Sequence, residues 1–422
     1  MNQVTTQFEE HARANVQERL LNLAGVYRSL NRKELAQALR RDGSKLAASN
    51  GNPKLDYLVA LAEVLDWPIG DVAEVIWGAG TDESPSTTGD DVKSLDAAAM
   101  TAHRNGEYEI MCELAHRMSR AATTPDERAL AVLREAGSWD GRGRYARQLE
   151  VLRSGLQEGA TAADLRLLLE VNLANAHYAL GSFFEARALA GDVLGRLEPD
   201  PPKTRRTRAA QAFGYYVLGN AARQMMSLVP SADVARSDAE TARAALQRSL
   251  ELYTALADDF DHDPWRGIAN TCRGGILEIE VELGGKSALE ALAVIDGEID
   301  ADLVKQTSLF GDQLESCGWW CIFGCNIAIR HLKGRDQQQR MATLINRGNE
   351  IANRLNNWSM HERLFTMEFA QRQQLDDLAG FSVDWAIDED DIKLLVGTMG
   401  RFPSFRSTGW KILKSTTIKT NT

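Results

Sequence analysis

Three short segments, Leu173-Ala174-Asn175-Ala176, Leu218-Gly219-Asn220-Ala221 and Ile268-Ala269-Asn270-Thr271, recur at intervals of 45 and 50 residues. A tetrad of the same character returning at such a distance marks a repeated supersecondary unit rather than one globular core. Around the tetrads the apolar residues fall at i, i+3 and i+4, and alternating β-type runs are few. The expected class is therefore all-α. A single helical hairpin cannot bury its apolar face, so successive hairpins must stack.

The clearest unit is LLLEVNLANAHYALGSFFEARALAGDVLGRLEP, Leu167–Pro199. Ala174 stands where a first helix must be small, Gly181 ends that helix, Phe183 and Ala186 begin the second, and Pro199 closes the pair. This unit resembles the tetratricopeptide (TPR) consensus. Weaker copies occur around Gly106-Glu107-Tyr108, Gly143-Arg144-Tyr145-Ala146, Ala242–Tyr253 and Gly285–Leu292, so the resemblance spans roughly Ser94 to Arg372. The 45- and 50-residue spacings exceed the usual TPR length and predict longer helices or loops. The resemblance implies a right-handed α-solenoid whose first helices line an inner groove. In that register Asn175 and Asn220 face the groove, and Tyr178, Tyr216, Arg223, Asn270 and Arg273 fall on the same stripe. Side-chain amides can clamp the backbone of an extended peptide, and the arginines can take a carboxylate. The alternative is that an asparagine at a close helix crossing satisfies neighbouring groups of the protein.

The N-terminal part reads differently. The chain carries a formal net charge of −11, which opposes non-specific coating of nucleic acid. Yet Arg28 to Lys54 contains seven basic and two acidic residues, a local excess of +5. Arg32-Lys33-Glu34-Leu35-Ala36-Gln37-Ala38-Leu39 is amphipathic, and Asn31 with Glu34 forms a capping box that would start a helix there. Together with Asn52-Pro53-Lys54-Leu55-Asp56-Tyr57-Leu58, Leu61-Ala62-Glu63-Val64-Leu65 and Asp66–Val72, this stretch of Leu30–Ile76 resembles the helix-turn-helix domain of the phage-repressor (XRE, Cro-like) family. The turn and recognition helix, DGSKLAASNG, are about three residues shorter than that family's pattern. The resemblance implies Arg32, Lys33, Arg40, Arg41, Lys45 and Lys54 on phosphates, with Gln37, Ser44, Ser49 and Asn50 at base edges of double-stranded DNA.

The run GAGTDESPSTTGDD, Gly78–Asp91, breaks the periodicity and reads as a linker. The expected organisation is a helix-turn-helix domain over 1–77, a flexible linker over 78–91, a TPR-like domain over 92–380 and a cap with a basic tail over 381–422. Lys393, Arg401, Arg406, Lys411, Lys414 and Lys419 fall in that tail, with no acid beyond Asp391.

Several chemistries find no support. Cys317, Cys321 and Cys325 lie at i, i+4 and i+8, and a rigid helix spreads such sulfurs along about 12 Å, so they cannot converge on one ion. They are expected as a buried seam with Trp319, Trp320 and Phe323. Gly141-Arg142-Gly143 reads as a hairpin turn. No H-E-x-x-H, P-loop or strand-borne G-x-G-x-x-G occurs, so no catalytic residue, metal or cofactor is expected. Neither an apolar span of about 18 residues nor an apolar leader is visible, which points to a cytoplasmic chain with no membrane partner.

The pairing of an XRE-like domain with a TPR array resembles the peptide-sensing regulators grouped as the RRNPP family. That resemblance implies a DNA-binding transcriptional regulator, homodimeric through its array, that senses a peptide or small ligand. The alternative is a TPR interaction scaffold whose degenerate helix-turn-helix domain does not bind DNA.

Overall fold

The computed structural model describes residues 2–43, 46, 52–67, 69–78, 91–157, 159, 162–199, 202–226, 228–260, 263–305, 311–380 and 385–418. Among them are nineteen α-helices, a one-turn 3₁₀ helix at Pro403–Phe405 and a two-residue parallel strand pair, Ala386–Ile387 with Thr417–Ile418. The chain is all-α apart from that pair. It divides into two compact units, 1–87 and 88–422.

The first unit contains α1 (Asn2–Arg28), α2 (Arg32–Ala38), α3 (Leu55–Leu65) and α4 (Ile69–Gly78). At the start of α2, Asn31 Oδ1 accepts from the Lys33 and Glu34 amides, and Glu34 Oε2 accepts from the Asn31 amide at 2.8 Å. This reciprocal cap satisfies three backbone donors that the helix cannot pair internally. The apolar faces of the four helices meet in one core formed by Leu20, Leu21, Ala24, Leu35, Leu39, Leu46, Tyr57, Leu61, Leu65, Val72 and Ile76. Arg28 ties α1 to α3 by donating from Nε to the Val64 carbonyl at 2.8 Å. Of the recognition segment, Ser44, Lys45, Ser49 and Asn50 lie outside the described residues, as does linker segment 79–90.

The second unit is a run of antiparallel hairpins: α5 (Val92–Arg104), α6 (Tyr108–Ala121), α7 (Pro125–Gly141), α8 (Tyr145–Gln157), α9 (Ala163–Ala179), α10 (Phe183–Leu197), α11 (Arg205–Met225), α12 (Ala232–Phe260), α13 (Asp263–Glu282), α14 (Ala288–Lys305), α15 (Gly311–His331), α16 (Gly334–Leu355) and α17 (Trp358–Ala379). The unit read as TPR-like is the hairpin α9–α10. Gly181 turns between the helices at φ +83, and Ala174 and Ala186 are fully buried at the crossing. The long repeat spacing has its source in α11 and α12, which run to 21 and 29 residues.

Odd-numbered helices from α5 to α17 each touch the next odd helix, whereas the even ones make no comparable contacts with one another. The odd row is therefore the inner wall. The stacking changes at α13 and α15, which pack directly against each other while α14 leans mainly on α15. Close approach there places Trp320 Nε1 at 2.9 Å from the Asn270 carbonyl. Cys317, Cys321 and Cys325 are buried along α15 in the cluster around Trp320, Leu344 and Met360.

The closing elements are α18 (Glu389–Arg401) and α19 (Arg406–Ser415). They pack on α17, and their apolar cluster extends to Tyr145 at the start of α8 and to Leu180 at the end of α9. Two sets of polar contacts join the α7–α8 turn to this end of the chain. Arg401 Nε donates to the Arg142 carbonyl at 3.0 Å, and the Tyr145 and Ser359 hydroxyls lie 2.6 Å apart. Gly143 makes the approach possible. It adopts φ +65, and a Cβ there would come within 2.8 Å of the Trp358 Cβ. The array closes on itself.

Candidate functional site

In the first unit, Arg32, Lys33, Gln37, Arg40 and Lys54 are exposed around the sealed core, and Arg41 is half-buried with its guanidinium 4.6 Å from the Tyr57 ring centre. Arg40 adopts φ +54 at the end of α2, which stops that helix and turns the chain. Arg32 lies 3.8 Å from Glu18, an exposed and weak pairing. The described basic residues thus sit at the two ends of α2 and just before α3, flanking the recognition segment in sequence.

In the second unit the expected stripe divides. Asn175, Tyr178, Tyr216 and Asn270 are half-buried on the inner row, whereas Asn220 and Arg223 are sealed within the wall. Arg223 donates from Nη1 to Glu278 Oε2 at 2.7 Å, and Asn220 Oδ1 accepts from Arg223 Nε at 3.3 Å. Glu278, fully buried on α13, also accepts from Asn326 at 3.2 Å and Arg330 at 3.1 Å on α15. Burial works against the charge on Arg223, but Glu278, Tyr178 and Tyr216 together raise its pKa. The carboxylate that Arg223 takes is internal. Arg273 is exposed, pairs with Glu298 at 2.7 Å and lies over the Trp320 ring. The asparagine amides also bond inside the protein. Asn175 donates to Asp140 at 3.3 Å, Asn220 to the Tyr216 carbonyl at 3.0 Å and Asn270 to Ser316 at 2.9 Å. Asn175 and Asn270 bond across to neighbouring helices and Asn220 to its own helix, so polar groups of the protein claim each amide first.

The contact of Asn175 leads to residues that sequence reasoning missed. Asp140 ends α7, and Asp312 and Glu315 begin α15, four inner helices further along the array. Burial pushes Asp140 up to about 7, with Glu315 adding to the rise and the Gln148 amide opposing it. Burial likewise holds Asp312 at about 7, reinforced by Glu315 and Asp140. Glu315 is raised by burial although Trp319 Nε1 and Asn357 Nδ2 donate to it at 3.0 and 3.1 Å. Asp140 therefore lies within electrostatic reach of Asp312 and Glu315 although they lie four inner helices apart in the chain. Burial also raises the Tyr108, Tyr145 and Tyr216 hydroxyls, with Glu315 adding to each. The three carboxylates retain partial solvent exposure.

A Cys–His–Glu grouping occurs between α6 and α7. Cys112 Sγ lies 3.9 Å and Glu135 Oε1 3.3 Å from the same nitrogen, His116 Nε2. A proton relay needs the two partners on opposite ring nitrogens, so this geometry is not a nucleophile–base–acid line. Among the described residues no group of three His, Cys, Asp or Glu side chains is placed to hold a metal ion, and no helix is long and apolar enough to cross a membrane.

No family model matches the chain, and no curated protein matches it in sequence. Among solved structures, it is similar to Bacillus thuringiensis PlcR in complex with the peptide PapR7 and DNA. The two are 14% identical over 80% of this chain and 99% of that one, with a TM-score of 0.38. The likeness bears on no individual residue of the site.

Proposed function

We propose that the chain is a non-enzymatic, DNA-binding transcriptional regulator whose helical array forms a homodimer and senses a peptide or small ligand in its TPR groove. The observation that carries this reading is the set of exposed basic residues around α2 and before α3 of the first unit. Arg32, Lys33, Arg40 and Lys54 project from a small, fully cored helical unit, with Gln37 exposed on the same helix. Cations held on a rigid scaffold neutralise phosphates and fix its register, while neighbouring polar side chains read base edges. Arg41 and Lys45 complete the proposed phosphate contacts, and Gln37, Ser44, Ser49 and Asn50 the base contacts. Two half-sites on one DNA gain affinity through dimerisation.

A gel-shift experiment on pooled genomic fragments at two salt concentrations tests it. Saturable, salt-sensitive retention of particular fragments is expected, and absence of retention at low salt would remove the regulator reading. A second reading has its own observation. Val59, Trp67 and Ile69 are exposed beside a shallow cavity of about 520 Å³ between α3 and α4. Exposed apolar side chains beside such a hollow suit a protein surface, as a scaffold with no DNA affinity would need.

A further inference from the structure

The basic residues that the sequence places near the C-terminus divide into two groups in the structure. Lys393 pairs with Asp390 at 2.8 Å, Arg401 lies 3.7 Å from the Trp358 ring centre, and Arg406 donates to the Met399 carbonyl at 3.0 Å. Lys411 and Lys414 are exposed on α19, and neither has an ion-pair partner among the described residues. Both line a cavity of about 300 Å³, with Arg372 and Asp376 on the α17 side and Phe369 and Trp385 as apolar surface. A volume of that order is at the lower end for small-molecule sites. Helical spacing explains the convergence. Phe369, Arg372 and Asp376 fall at i, i+3 and i+7 of α17, and Lys411 and Lys414 at i and i+3 of α19, so each set shares one face. Trp385 is tied to the end of α19, since its carbonyl accepts from the Thr417 amide at 2.7 Å and the parallel strand pair follows at once. Arg372 lies over the Trp385 ring with its guanidinium carbon 5.4 Å from the centre, and Glu368 is 4.0 Å away, at the limit of an ion pair. Among the described lining residues there are three cations and one acid, a balance of +2.

We infer that this cavity of the C-terminal cap binds a phosphomonoester, its phosphoryl oxygens held by Arg372, Lys411 and Lys414 and its organic body against Phe369 and Trp385. A phosphomonoester dianion answers the balance of +2. Its oxygens take the guanidinium fork in pairs, while the two ammonium groups act as point charges. A carboxylate brings half that charge and only two oxygens to three cations. The apolar wall adds contact that a bare ion cannot use. Inorganic phosphate offers the same oxygens without the body, so both belong in the test. The site lies outside the groove assigned to ligand sensing above and does not depend on that reading.

Isothermal titration calorimetry on the full chain at pH 8, where a phosphomonoester is a dianion, would use phenyl phosphate in one arm and inorganic phosphate in the other, with benzoate as control. Saturable binding of phenyl phosphate is expected, with inorganic phosphate and benzoate each at least fivefold weaker. Lys411→Gln with Lys414→Gln should lose at least tenfold in affinity for phenyl phosphate, while Lys393→Gln should lose nothing. The single Lys411→Gln variant serves the same comparison should the double one fold poorly by circular dichroism. Replacing Arg40, Arg41 and Lys45 of the first unit with Ala should leave this affinity unchanged. Absence of saturable binding, equal affinity in the wild type and the lysine variant, loss of binding in the first-unit variant, or inorganic phosphate or benzoate bound as tightly as phenyl phosphate overturns the assignment. The outcome is separable from DNA binding. A chain that retains DNA but takes no phenyl phosphate removes this site alone, whereas one that takes phenyl phosphate without retaining DNA removes the regulator reading and keeps the site.

Discussion

Replacing Glu278 by Ala should show how the inner wall is held together. Glu278 and Arg223 are 0% and 2% exposed, and Glu278 is the acid that joins α11, α13 and α15. Removing it strands the Arg223 guanidinium in the wall, a loss of roughly 3–5 kcal/mol for a broken buried pair. Asn326 forfeits one hydrogen bond, about 1 kcal/mol. Arg330 keeps Glu282 at 2.9 Å and adds little, because it is partly exposed. A total near 4–6 kcal/mol, with a urea slope of about 2.5 kcal/mol/M, lowers the unfolding midpoint by about 1.6–2.4 M. Tryptophan fluorescence would follow it, since Trp319 and Trp320 lie on α15. Pairing Glu278→Leu with Arg223→Met should bring the midpoint back to the wild-type value or above it. Both charges are then gone, and a methionine keeps the contact with the Phe323 ring now made by Arg223. A single variant costing less than about 1 kcal/mol, or a double variant as unstable as the single one, would refute the reasoning.

Gly143→Ala should cost roughly 2–4 kcal/mol locally, from left-handed backbone strain and the clash with Trp358. Hydrogen exchange should accelerate at 142–145 and 397–402 but not in α11 or α13; uniform exchange would count against a closed array. His361 is 1% exposed, has no partner on either ring nitrogen and is held down to about 4 by burial. Its neutral form is the folded one, so the stability it permits is complete above pH 6.5 and falls by about 3 kcal/mol as the pH drops to about 4. Urea unfolding at pH 7 and pH 4.5 should show His361→Phe losing less stability than the wild type between the two. An equal loss in both would show that His361 does not titrate on unfolding.

How much of this could be read beforehand depended on whether the signal was local. The α9–α10 hairpin was legible because Ala174, Gly181 and Ala186 each perform a task defined within a few residues, and Asn31 with Glu34 likewise announces α2. The direct packing of α13 on α15 was not legible, since it depends on how large side chains such as Trp320 seat against a neighbouring helix. Gly141-Arg142-Gly143 read as a turn and is one, but its contact with Trp358 and Arg401 comes from residues more than two hundred positions away. Asp140, Asp312 and Glu315 escaped notice for the same reason: each is an ordinary acid in its own helix, and only the fold brings them within electrostatic reach of one another. The inner stripe was read from consensus register, which assigns a face to Asn220 and Arg223 but cannot foresee that Glu278 draws them into the wall.

The central claim, that the first unit holds DNA through its cationic face, is tested most directly by the salt dependence of binding to a retained fragment. Replacing Arg40, Arg41 and Lys45 with Ala removes three proposed phosphate contacts, which should lessen the slope of log affinity against log salt by about 2.7 and leave helical circular dichroism unchanged. A slope and affinity equal to the wild type's would contradict it.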